Sequence, residues 1–297
     1  MKREIFAFIM AALLGLPAIY AAEAEEAALP VLTIKSPRFA RPLVERWIAE
    51  YTKSQPRLRL ELAQGQQSAS LHIVLEGDGH QNPAVFFGQY AVLPVAASGS
   101  EAASLLSGKH LSVQRLKELY FVDDELDEPK AHKQYEHITV YSGSSQGSVA
   151  RQFARHLGLE SADFRGRRIS GDDLFLNTAL QKDPTGISVN ALPNIYDLKS
   201  RHLRQGLSLI ALDDGELDAN ATLDEVLNRL EQDVPEEVAT GRIGLSFDTR
   251  DEALNHFLQW VLDHAQLWNH EYGLLNLDVR LSEAEHTKLN HLLTARK

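Results

Sequence analysis

The sequence predicts an α/β fold, and three observations predict it. Short apolar stretches, some with strict period-two alternation, recur along the chain. Between them lie segments whose apolar residues return every three or four positions. Strands and helices in turn are the pattern of a largely parallel sheet covered by helices. The third observation is size, since 297 residues suffice for two modest units, each with its own core.

Each element has its own signal. Residues 31–34 (Val-Leu-Thr-Ile) read as a strand between Pro30 and Pro37. Residues 42–51 have helical spacing, with Leu43, Trp47, Ile48 and Tyr51 on one face. Residues 58–62 alternate as Leu-Arg-Leu-Glu-Leu, a half-buried strand. Strands follow at 71–75 and 90–97, the latter closed by Ser98-Gly99-Ser100. Helices are predicted at 102–106 and 113–120, then a charged surface loop over 123–133. A strand at 138–141 leads to helices at 148–157 and 172–180. Residues 185–189 turn into a strand, 207–212 form another, 223–230 a helix and 243–247 a strand. The tail is helical over 253–267 and 282–293. Ser282, followed three residues later by Glu285, reads as a capping box.

Composition narrows the function. Hydrophobic residues make up 44% of the chain and charged ones 24%, which fits a globular protein. The net charge of −11 argues against nucleic acid or an anionic membrane surface as the main partner. The absence of cysteine excludes disulfides, thiolate zinc sites, a cysteine nucleophile and a lipidated cysteine. Residues 143–147 (Gly-Ser-Ser-Gln-Gly) match the bare G-x-S-x-G spacing around Ser145, but no triad can be inferred from the sequence, so an enzyme is not expected, a serine hydrolase using Ser145 being the alternative. His264 and His270 lie six apart, which is no helical metal spacing, and read as surface groups. Asp213, Asp214 and Glu216 read as a solvated acidic turn rather than a cation site. No cofactor or metal is expected.

The first residues read as an export signal. Lys2 and Arg3 precede an apolar run over residues 5–16, closed by Gly15 and Pro17. Ala18, Ala21, Ala22 and Ala24 follow. This is the order of a secretory signal peptide, residues 1–21, with cleavage as late as 24. The alternative is an anchoring helix, but the run is short for a bilayer and Pro17 interrupts it.

Several segments, in order, resemble the substrate-binding proteins of phosphate ABC transporters. Residues 32–36 (Leu-Thr-Ile-Lys-Ser) and 39–43 (Phe-Ala-Arg-Pro-Leu) are similar to that family's first strand, ligand loop and first helix. Trp47, Tyr51 and Pro56 keep its spacing, and residues 89–95 (Gln-Tyr-Ala-Val-Leu-Pro-Val) resemble its strand crossing into a second lobe. Residues 111–121, 144–158 and 183–188 resemble later segments. Phe257, Val261, Gln266 and Gly273-Leu274-Leu275 resemble its closing helices.

The resemblance implies a divergent member with a two-lobed periplasmic-binding-protein fold: two mixed sheets flanked by helices, with an interlobe cleft. Lobe I would comprise residues 30–94 and 213–297, and lobe II residues 95–212. It implies a periplasmic protein, expected to be a monomer. Such a protein captures a small oxyanion, phosphate first, for an inner-membrane ABC-type transporter. The alternative is a ligand-sensing or accessory protein of an envelope complex.

In such a fold an oxyanion is held by helix N-termini that aim backbone N–H groups and a positive dipole end into the cleft. Two segments between a strand and a helix fit this. The first, residues 36–39, holds Ser36, Arg38 and Phe39, and the second, residues 142–148, holds Ser144, Ser145, Gln146, Gly147 and Ser148. Small residues allow close approach, and hydroxyls add donors. His72 completes the candidate ligand set near the place of the family's proton-accepting aspartate; a packed, hydrogen-bonded histidine is its other reading. The family's Ser-Gly-Thr and its arginine clamp are absent from the second segment. Arg38 either supplies the missing charge or points to solvent.

Overall fold

A computed structural model describes residues 31–294, apart from 56–57, 66, 80, 123–131, 146–147, 214–216, 218 and 249–251. The predicted signal peptide, Gln146, Gly147, Asp214, Glu216 and most of the charged loop therefore lie outside the described residues. No described helix is long and apolar enough to cross a membrane.

Nine strands and nine α-helices alternate among the described residues. The first part holds β1 (Val31–Lys35), α1 (Arg41–Ser54), β2 (Arg59–Leu62), β3 (Leu71–Leu75) and β4 (Ala84–Ala97). The middle holds α2 (Glu101–Leu106), α3 (Val113–Tyr120), β5 (Thr139–Gly143), α4 (Ala150–His156), β6 (Arg167–Ile169), α5 (Leu174–Lys182), β7 (Gly186–Ala191), α6 (Leu192–Ile195) and β8 (Leu207–Leu209). The last part holds α7 (Leu223–Gln232), β9 (Ala239–Phe247), α8 (Glu252–His264) and α9 (Val279–Thr294).

The strands run in the order β2-β1-β3-β9-β4-β7-β5-β6, with β8 also on β4. Long β4 joins the two halves. Its first part pairs with β9 over Ala84 to Val92, and its second with β7 over Val92 to Ala96 and with β8 over Val95 to Ala97. The two sheets expected are thus one hydrogen-bonded path. The sheet is mixed. β1 pairs in parallel with β2 and β3, and β5 with β6 and β7, whereas β9 and β4 pair antiparallel to their neighbours.

Apolar faces drive this arrangement. α1 buries Leu43, Val44, Trp47 and Tyr51. Trp47 meets Phe87 edge-on at 4.6 Å between ring centres, and Tyr51 meets Phe257 of α8 at 5.1 Å. In the other half Tyr120, Phe121, Phe153 and Phe164 cluster. Beside them the buried Arg165, with no carboxylate partner among the described residues, donates to Leu119 O, Ile138 O and Tyr135 O. Burial lowers its pKa to about 10.

The tail corrects one expectation. α9 starts at Val279, and Leu281 N–H donates to the Asp278 carboxylate at 2.9 Å. Ser282 N–H already donates to Asp278 O, so Ser282 lies inside the helix and caps nothing. Glu285 is buried instead. It accepts from Phe86 N–H at 3.0 Å and from Arg242 and Lys288, tying α9 to the sheet.

Candidate functional site

The second candidate segment follows β5 and ends in α4. Ser144 N–H donates to Ile169 O at 3.0 Å, and its exposed hydroxyl lies 3.3 Å from that of Ser170. Ser148 N–H closes a turn on Ser145 O. The decisive partner is Asp173, at the start of α5. Its carboxylate accepts from Ser148 Oγ at 2.8 Å and from Val149 N–H at 2.9 Å. Ala150 N–H donates to Ser148 Oγ at 3.3 Å. The amide and hydroxyl that would greet an oxyanion here hold an internal carboxylate.

Local chemistry explains the fit. A Cβ on Gly143 would stand 2.2 Å from both Asp173 Oδ1 and Ser148 Oγ, so only glycine admits the carboxylate. A buried asparagine group supports Asp173 from behind. Asn190 Nδ2 donates to Asp173 O at 2.8 Å, and Asn194 Nδ2 to Asn190 Oδ1 at 2.8 Å. Burial raises the Asp173 pKa to about 6, against the pull of the Val149 and Ser148 donors.

The first segment follows β1. Ser36 Oγ donates to Pro37 O at 3.0 Å. Arg38 opens a short 3-10 turn ahead of α1 and is exposed; among the described residues nothing bonds its guanidinium. Phe39 is buried, its ring 6.2 Å from that of Tyr90 on β4. Tyr90 is 1% exposed and lies against Gly241, where a Cβ would stand 2.7 Å from its hydroxyl. Burial pushes the Tyr90 pKa well up; Asp78, Glu76 and Asp173 push the same way and Arg155 opposes.

Tyr90 thus lies beside the first segment, and α4, which follows the second, reaches β9 and the turn after β3. Arg155 donates to Glu76 O at 3.2 Å and to Gly77 O at 3.1 Å, in the turn after β3. Arg151 pairs with Asp78 at 3.8 Å, Gln152 Nε2 donates to Thr240 O at 2.7 Å, and His156 bonds Glu236 O at 2.7 Å. The Glu76 carboxylate in turn accepts from Arg242, which holds its pKa below the usual range.

His72 stands apart. It lies opposite Lys35 and Ser246, is half-buried and bonds Ala69 O at 3.2 Å. His264 stacks on Trp260 at 4.9 Å and His270 pairs with Glu231 at 2.6 Å. No metal-holding cluster occurs among the described residues. Cavities of about 350, 470 and 230 Å³ lie elsewhere, beside α7, between α1 and β2, and beside α2.

The residues that sequence reasoning missed are Asp173, Tyr90 and Arg155. An aspartate at a helix start was legible; its bond to a serine 25 positions earlier was not.

No family model matches the chain, and no curated protein matches it. Solved structures do. A protein described as a phosphate ABC transporter substrate-binding protein, with bound phosphate, from Clostridium perfringens matches with a TM-score of 0.58. It is 13% identical, covering 84% of this chain and all of the other. An ABC-type phosphate transport receptor from Vibrio cholerae matches with a TM-score of 0.53 at 12% identity, covering 83% of this chain and all of the other. The regulatory domain of CcmR from Synechocystis PCC6803, in complex with 2-PG, matches at 0.45 and 16% identity, covering 78% and 95%. The chain thus has a periplasmic-binding-protein-like α/β fold. At these identities the likeness extends to the fold alone.

Proposed function

We propose that the chain is a binding protein of the cell envelope, exported by a signal peptide within residues 1–21. It works as a ligand-sensing or accessory component rather than as a carrier of phosphate. Lobe I comprises residues 30–94 and 213–297, and lobe II residues 95–212. The bonds from α4 to Glu76, Gly77, Asp78, Thr240 and Glu236 then run between lobes and hold the seam closed.

One observation carries this reading: the Asp173 carboxylate occupies the Val149 amide and the Ser148 hydroxyl. A phosphate dianion placed there would face that carboxylate. Two like unit charges 4 Å apart repel by about 4 kcal/mol at an effective dielectric of 20. A neutral ligand escapes that cost.

A second reading is capture of a small oxyanion, phosphate first, for an inner-membrane ABC-type transporter. Arg38 supports it, exposed beside Ser36 at the entrance to α1 with no partner among the described residues.

Titration calorimetry with phosphate and sulfate at neutral pH separates the two. The first reading expects no saturable heat up to roughly millimolar anion, a regime of about −4 kcal/mol or weaker. Saturable micromolar binding that Arg38→Ala or Ser145→Ala weakens would establish the second and sink the first.

A further inference from the structure

Among the described residues β2 is the last strand on its side of the sheet and pairs only with β1. Ala63 N–H donates to Ile34 O at 2.9 Å. The period of two then turns the backbone groups of Glu61 and Arg59 toward β1, and those of Leu60 and Leu62 toward the open side. Among the described residues nothing bonds to that side. A groove of about 470 Å³ lies beside it, walled in part by Ile48 and Ala49 of α1 and by Leu60 and Leu62.

Charges on an edge strand ordinarily discourage pairing. Here their spacing has the opposite effect. The Arg59 side chain is 66% exposed and that of Glu61 35%, and they form an ion pair two residues apart on the outward face of β2. Consider a second β2 laid antiparallel along the open side. Centred on Arg59, the two-fold sets arginine against arginine. Centred on Glu61, it sets glutamate against glutamate. Centred on Leu60, it sets Arg59 against Glu61 of the second copy on both sides of the axis. Directly opposed opposite charges stabilise a strand pair, and like charges destabilise it.

The backbone agrees with that register. Leu60 has its N–H and C=O facing outward, so it can exchange both bonds with its own copy, as an antiparallel hydrogen-bonded pair does. Leu62 N–H then reaches Leu58 O of the second copy. The leucines meet on the inner face, at the mouth of the groove beside α1. The surface is self-complementary, as an isologous contact requires.

We propose that the chain forms a two-fold dimer through β2, joining two sheets edge to edge in the Leu60-centred register. The assembly involves no residue of the candidate ligand site, so its test is independent of the ligand.

Sedimentation equilibrium of the full chain over a range of concentrations tests it. The wild-type chain is expected to dimerise. Glu61→Arg turns both cross-strand attractions into repulsions and should weaken association at least about tenfold. Arg59→Glu should do the same. The double swap Arg59→Glu/Glu61→Arg restores opposite charges and should restore the dimer. All four positions of charge are solvent-facing, and circular dichroism checks that each variant folds. A wild-type chain that stays monomeric at the highest attainable concentration overturns the proposal. So does a dimer indifferent to Glu61→Arg, or a double swap that fails to restore it.

Discussion

Asp173 accepts two hydrogen bonds that favour its charged form, yet burial wins and its pKa rises to about 6. In the unfolded chain it would titrate near the ordinary value of 3.8. Between these limits the folded state holds a proton that the unfolded state has released. The stability this group contributes is therefore greatest below about pH 4 and is lost as pH rises through 6. Glu76 works in the other sense: its lowered pKa contributes stability above the ordinary value of 4.5 that is lost on acidification. The Val149 amide reports on Asp173 directly. Its chemical shift, followed against pH, should titrate with a midpoint near 6; a midpoint near 4 would mean that burial does not dominate.

A second residue-scale expectation concerns Gly77, which has φ +82° and lies under the Arg155 guanidinium, where a Cβ would come within 1.8 Å of Nη1. Gly77→Ala should cost about 1–2 kcal/mol in urea unfolding, partly from backbone strain and partly from the displaced arginine. In an Arg155→Ala background only the backbone part should remain, about 1 kcal/mol. Equal losses in both backgrounds would show that Arg155 does not press on this turn.

At the scale of elements, local signals were legible and long-range pairing was not. β3 and α3 match their predicted limits, 71–75 and 113–120, residue for residue. β3 is a compact apolar stretch, and α3 has an amphipathic face and a cap in Ser112, whose hydroxyl accepts from Arg115 N–H. The first half of β4 was missed because Ala84 to Phe87 are all buried, which leaves no alternation to read. β6, with the exposed Arg167 and Arg168, exists because β5 pairs with it and carries no signal of its own.

Ser282 misled because its spacing to Glu285 fits a cap, whereas Glu285 is needed under the sheet. Asp278→Ala should therefore cost about 1 kcal/mol, and Ser282→Ala under about 0.5 kcal/mol. Glu285→Ala should cost about 3 kcal/mol, since it leaves Phe86 N–H unpaired and removes one partner of Arg242. Urea denaturation ranks all three, and equal losses for Asp278 and Ser282 would restore the capping box.

For the whole molecule, ordered segments along the chain pointed to a binding-protein scaffold, and the fold is of that kind. The candidate site was legible only in part. Strand-to-helix junctions at Ser36 and Ser144 could be read from the order of residues. That Asp173 would reach Ser148 could not, because the contact spans 25 positions and depends on β5 and β7 pairing side by side to bring the starts of α4 and α5 together.

The central claim is that an internal carboxylate fills the place of an external anion at the start of α4. The Val149 amide tests it most directly, watched by two-dimensional NMR while phosphate is added at neutral pH. The account expects its resonance to stay in place throughout the titration. A saturable shift of that amide, with Asp173 released from it, would contradict the account.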